Sequence, residues 1–158
     1  MTATAHALVA GAILTRFTDP LAASLLAFGS HYIMDSVPHW DFGTNWRKRP
    51  KSTTGLFAIA DTLLAFTVAY ILFAGKVGVV PITLVTTAAL VPDWLETPWY
   101  IFFARQNKHE PGAHAGIWEK IAYTIYKLPN MFHTKAQLPL GLFTQIATVA
   151  FFWILLSP

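Results

Sequence analysis

Cysteine is absent from the 158 residues. That excludes a disulfide framework, a thiolate metal site and a cysteine nucleophile. Charge is also scarce. Asp, Glu, Lys and Arg make up 12% of the chain against 54% hydrophobic residues, and mean hydropathy is +0.47. So apolar a composition excludes an ordinary soluble domain and points to an integral membrane protein. There is no Gly-x-Ser-x-Gly nucleophile elbow and no glycine-rich phosphate loop. No internal repeat or low-complexity tract occurs. No basic stretch precedes the first apolar run, so that run reads as a retained helix and not a cleaved signal peptide.

What is present is apolar and aromatic. The 12 Phe, 6 Trp and 5 Tyr lie mostly near the ends of apolar runs, where aromatic belts form. Five such runs occur, at residues 4–17, 21–37, 54–74, 79–103 and 137–156. Pro20 opens the second, Ser52 or Thr53 is expected to cap the third, and Pro92 and Pro98 are expected to kink the fourth. Residues 114–128 carry Ile117, Ile121, Ile125 and Leu128 at helical spacing, with Glu119, Lys120 and Lys127 between them. The pattern predicts an all-α, single-domain membrane bundle of about five transmembrane helices over residues 1–158, plus one amphipathic interfacial helix. The first two runs are short for the ~20 residues that cross a bilayer, so a tight or partly re-entrant hairpin is the alternative.

Nine of the eleven Lys and Arg fall in two loops, 41–52 and 105–135. Five spans put both loops on one side of the membrane. The positive-inside rule then makes that side, with the N-terminus, cytoplasmic, and places the protein in the plasma (inner) membrane. Topology accounts for the basic loops. The expected partner is membrane lipid, not nucleic acid.

Against this background, Ser30-His31-Tyr32-Ile33-Met34-Asp35-Ser36-Val37-Pro38-His39-Trp40-Asp41 stands out. It sets two histidines and two aspartates at the end of an apolar run, where ionisable groups are costly and usually mark a site. His31 and Asp35 share one helix face. They suit either a divalent metal or an interhelical hydrogen bond. The other spans add to them. On a five-span layout His6, His31, Asp35, His39, Asp61, Asp93, Glu96 and His133 all fall near the cytoplasmic level. Scattered packing hydrogen bonds have no reason to share a depth, whereas a site between helices does. His6, His31, Asp35, His39, Asp61, Asp93 and His133 are the expected metal ligands, and Glu96 or Asp41 the general base. His109 and His114 read as surface residues. Carboxylates and imidazoles without thiols favour Zn²⁺, with Mn²⁺ or Fe²⁺ as alternatives, and a divalent metal in such a set activates water.

His6 near the start, the Ser30-His31-x-x-x-Asp35 core, Pro38-His39, the Pro92-Asp93 pair and a late histidine together resemble the small membrane-bound, predicted metal-dependent hydrolases. The resemblance spreads over most of the chain, and His-x-x-x-Asp-x-x-Pro-His is its most specific part. It implies multi-pass helices and a divalent metal held by His31, Asp35, His39 and Asp93. The family often carries a His-Arg-Gly-x-Thr-His-Ser stretch, which Phe132-His133-Thr134 matches only weakly, and the order of elements differs. The resemblance supplies no substrate. Lipid phosphatases of the phosphatidic-acid type share a His-x-x-x-Asp pair. They also need a Pro-Ser-Gly-His motif and an arginine ahead of the second histidine, and both are missing here.

Three functions remain open from the sequence. The first is a membrane hydrolase acting at the cytoplasmic interface on a lipid phosphoester or other amphiphile, with the basic loop 47–51 attracting an anionic head group. The second is a non-catalytic metal-binding or metal-carrying protein, and the third a purely structural one.

Overall fold

A computed structural model describes residues 1–105 and 107–156. Among them are six α-helices and no strand: α1 (Ala3–Arg16), α2 (Pro20–Ser36), α3 (Lys51–Val77), α4 (Val79–Phe103), α5 (Ile117–Asn130) and α6 (Leu140–Leu156). Local chemistry sets their ends. Asp19 accepts the Ala22 N–H at 2.7 Å, and Pro20 supplies the first helical position of α2. α3 starts at Lys51, directly after Pro50, so Ser52 and Thr53 lie inside the helix and do not cap it. The fixed φ of Pro50 already presets the chain for helix entry. α3 runs on past Ala74 through a π turn, Tyr70–Ala74, and ends only at Gly78. The φ of +88° there is one that glycine adopts without strain. α4 continues through Pro92 and Pro98 and widens into a second π turn at Trp99–Phe103.

α1 is the axis of the fold. It packs against α2, α3, α4 and α6, and nearly every residue from Ala3 to Leu14 is buried. Its small residues let the neighbours approach closely. A side chain at Gly11 would meet the Phe73 ring at 2.2 Å. Central placement also explains its length: at about 1.5 Å per residue, 14 residues reach across a core, not a whole bilayer. Among the described residues, α3 and α4 are the two helices long and apolar enough to cross a membrane, and α6 is a shorter apolar helix. Large apolar side chains are exposed on α2, α3, α4 and α6, among them Leu25, Ile33, Ile59, Ile71, Val80 and Ile154. Large exposed apolar patches mark membrane or partner contacts in proteins generally.

α5 both packs on the bundle and faces outward. Trp99 of α4 meets Tyr123 and Tyr126 at ring distances of 4.9 and 5.9 Å, and Ala122 is buried beneath them. Ile117 and Leu128 stay exposed on the opposite face, and Trp118 is exposed at the start of the helix.

A candidate metal centre

Seven of the residues singled out from sequence converge at one end of α1. The hub is Asp35, near the C-terminus of α2 and 2% exposed. One of its oxygens lies 3.2 Å from His6 Nε2 and 3.7 Å from His39 Nε2. The other lies 3.4 Å from His31 Nε2 and 3.5 Å from His133 Nδ1. Asp93 of α4 joins from the far side, 3.7 Å from His31 Nε2. Asp41 sits 2.9 Å from His133 Nε2 and 3.7 Å from His39 Nε2. The α-amino group of Met1 also contacts Asp35.

Local chain geometry orients these groups. His31 Nδ1–H donates to the Ala89 carbonyl at 2.7 Å, and His39 Nδ1–H to the Val37 carbonyl at 2.8 Å. In a neutral ring that leaves the Nε2 lone pair facing the cluster, the arrangement by which proteins orient metal-binding imidazoles. His133 lies in the segment after α5, which backbone hydrogen bonds tie to the end of α2. Thr134 N–H donates to the Asp35 carbonyl, His39 N–H to the Thr134 carbonyl, and Ala136 N–H to the His39 carbonyl, at 2.9, 3.1 and 2.7 Å. Asp41 is held in a tight turn in which Thr44 Oγ1 donates to its carboxylate at 2.9 Å.

Electrostatics match ligation. Burial pushes the Asp41 carboxyl up. The hydrogen bond from His133, the adjacent His39 ring and the Lys135 ammonium outweigh it, and hold the group well below the usual carboxylate range. Burial holds His133 below its ordinary value, against the pull of Asp41 and Asp35. An ionised carboxylate and a neutral imidazole are the forms that bind metal.

Two sets of groups could each hold a metal ion: His6, His31 and Asp93, and Asp35, His39 and His133, with ligand atoms within 4.8 Å of one another in each set. The strongest sign of fit is His6. It is 1% exposed, stacks on His31 at 4.1 Å, and neither ring nitrogen has a hydrogen-bond partner. Its Nε2 is close to Asp35 but out of line for a hydrogen bond. A buried imidazole unsatisfied at both nitrogens is costly without a further partner, and a cation supplies one.

Asp61 is placed differently from the other expected ligands. Its oxygens accept the Ala3 N–H at 2.7 Å, the Thr4 N–H at 3.3 Å and the Thr4 hydroxyl at 2.9 Å, so it caps the start of α1 from α3. A carboxylate at a helix N-terminus satisfies orphan amides and complements the dipole. Asp61→Ala is expected to cost roughly 0.5–2 kcal/mol and to lower the melting temperature while metal content stays unchanged. Loss of metal at an unchanged melting temperature would return Asp61 to the ligand set. Glu96, one turn beyond Asp93, is buried and accepts a hydrogen bond from Asn130 at 3.0 Å. His109 and His114 are exposed.

Four contributors were not singled out from sequence: the Met1 α-amino group, Lys135, Thr44 and Asn130. Only Thr44 carries a local signal, the Asp-x-x-Thr spacing of a side-chain-closed turn.

The cluster borders a cavity of about 630 Å³ between α3 and α4. Its walls are apolar and include Gly55, Ala58, Ile59 and Leu63 of α3 and Leu90 and Trp94 of α4. Asp41, Asp93, Glu96, His133 and Lys135 supply its polar end. No protein-family model, curated protein or solved structure matches the chain.

Proposed function

We propose that the chain is a membrane-embedded, metal-dependent hydrolase, of the kind its His-x-x-x-Asp-x-x-Pro-His core resembles, acting on a lipid phosphoester or a similar amphiphile. One observation carries this reading: the buried His/Asp cluster opens onto an apolar cavity large enough for a hydrocarbon chain. In this reading the apolar helices form a five-span bundle in the plasma membrane. The loops holding nine of the eleven basic residues then lie on the cytoplasmic side with the cluster.

His6, His31, Asp35, Asp93, His39 and His133 would hold the metal, with zinc favoured by the donor set and manganese or iron as alternatives. A divalent cation supplies Lewis acidity there, polarising a phosphoryl oxygen and acidifying water. The chain's own residues do the rest. Asp41 holds His133 in register. The cavity walls exclude bulk water. Glu96 takes a proton from the attacking water as the P–O bond to the alcohol breaks, and returns it to the leaving alkoxide, so that water and ester become alcohol and phosphate. Lys135 and Lys51, at the edges of the cavity, attract the anionic head group.

The test is hydrolysis of a long-chain alkyl phosphate in detergent by metal-loaded protein, wild type beside Gly55→Leu. A Cβ at Gly55 meets nothing within 4 Å, so the larger side chain enters the cavity without a backbone clash. Leucine also favours the helix over glycine. The variant is expected to keep its metal and lose at least about tenfold in turnover, the scale of ~1.4 kcal/mol in transition-state binding. No hydrolysis by a metal-loaded wild type would refute the phosphoester reading.

A further inference from the structure

We infer that the centre takes two divalent cations, with Asp35 as the carboxylate shared between them. This rests on the metal-centre reading above and adds the number of ions and the division of ligands. The two sets of groups do not merge into one. His6, His31 and Asp93 form one set, and His39 and His133 form the other with Asp35. The His6 and His31 rings stack at 4.1 Å, and those of His39 and His133 lie 4.7 Å apart. Each oxygen of Asp35 reaches both histidine pairs. The first faces His6 and His39, and the second faces His31 and His133. A single ion uses at most two oxygens of one carboxylate on one side. A carboxylate flanked by imidazoles on both sides is the donor arrangement of paired-metal sites, whose ions lie about 3.5–4 Å apart.

Charge favours cation binding as such. Asp35, Asp93 and Asp41 crowd together, with imidazoles as their main neighbours and the Met1 α-amino group and Lys135 as the cations beside them. Carboxylates so placed repel one another unless cations intervene. Three carboxylates against two ammonium groups leave the cluster net negative, and bound divalent ions turn it positive, which suits an anionic phosphoester at the polar end of the cavity. Orientation is also built separately for each side. The Ala89 carbonyl fixes His31 for the first, and the Val37 carbonyl and Asp41 fix His39 and His133 for the second.

Manganese is the probe, because its electron spin reports a neighbour. Detergent-purified protein, stripped by chelator and dialysed against Mn²⁺, is expected to hold two manganese ions per chain by mass spectrometry. Its electron paramagnetic resonance spectrum should be exchange-coupled. Asp93→Ala and His133→Ala, which remove a ligand from opposite sides, should each fall to one ion and give the six-line spectrum of isolated Mn²⁺. One ion per wild-type chain with an uncoupled spectrum would overturn the inference and leave the single-metal hydrolase standing. No bound manganese, zinc or iron in the wild type would overturn both. The wild-type count and spectrum decide the matter even if either variant misfolds.

Discussion

Asp35→Ala is expected to empty the centre of metal altogether and to reduce hydrolysis by more than about 100-fold, since loss of outer partners alone costs 10–100-fold at metal sites. Among the described residues, no other side chain contacts as many of the candidate ligands. His6, His31, His39 and His133 all lie within 3.7 Å of its oxygens. Its backbone carbonyl, which accepts the Thr134 N–H, survives the substitution, so the segment that carries His133 keeps that tie to α2. The fold is therefore expected to remain helical by circular dichroism while metal content falls to background. Asp35→Asn keeps the volume and removes the charge, and should behave the same way. Retention of stoichiometric metal in both variants would exclude Asp35 as a ligand and reduce the cluster to helix packing.

The second large effect is expected at a residue with no polar side chain. Gly141, in the first turn of α6, lies against the backbone of the loop after α2. A Cβ there would sit 2.5 Å from Trp40 N and 2.8 Å from the Ala136 carbonyl oxygen. Backbone atoms cannot rotate away as a flexible side chain can. Gly141→Ala must therefore separate α6 from the Trp40 and Ala136 segments, and the Trp40 N–H bond to the Gly141 carbonyl lies in the same contact. Forced overpacking of this kind costs about 1–3 kcal/mol. The displaced segments are those that hold His39 and His133 in register. Gly141→Ala is expected to lower the melting temperature and to weaken metal binding at the His39–His133 side, with the His6–His31–Asp93 side affected less. Unchanged metal affinity at a lowered melting temperature would show that the contact serves stability alone.

The helices were legible because apolar runs and prolines mark them in the sequence. The runs at 4–17, 21–37, 54–74, 79–103 and 137–156 correspond within a few residues to α1, α2, α3, α4 and α6. The site was legible in part, through depth. Counting along each helix gives height, and height brought His6, His31, Asp35, Asp93 and His133 to one level. Height does not give rotation about the helix axis. Asp61 lies at a matching level but its side chain turns to the start of α1, where unpaired amides compete for it. The pairing of residues 134–136 with the end of α2 has no periodicity that could announce it, and so the parts played by Lys135 and Gly141 could not be read.

The span of the ligands along the chain has one more consequence. They begin at His6, in the buried axial helix, and end at His133, close to the last helix. With two ions, one would tie His6 to Asp93 and the other Asp35 to His133, so that two long loops overlap at Asp35 and each closes only once the intervening helices have assembled around α1. Metal uptake would then report that α1 has been enclosed, because a chain that has not wrapped its first helix cannot bring His6 to His31 and Asp93.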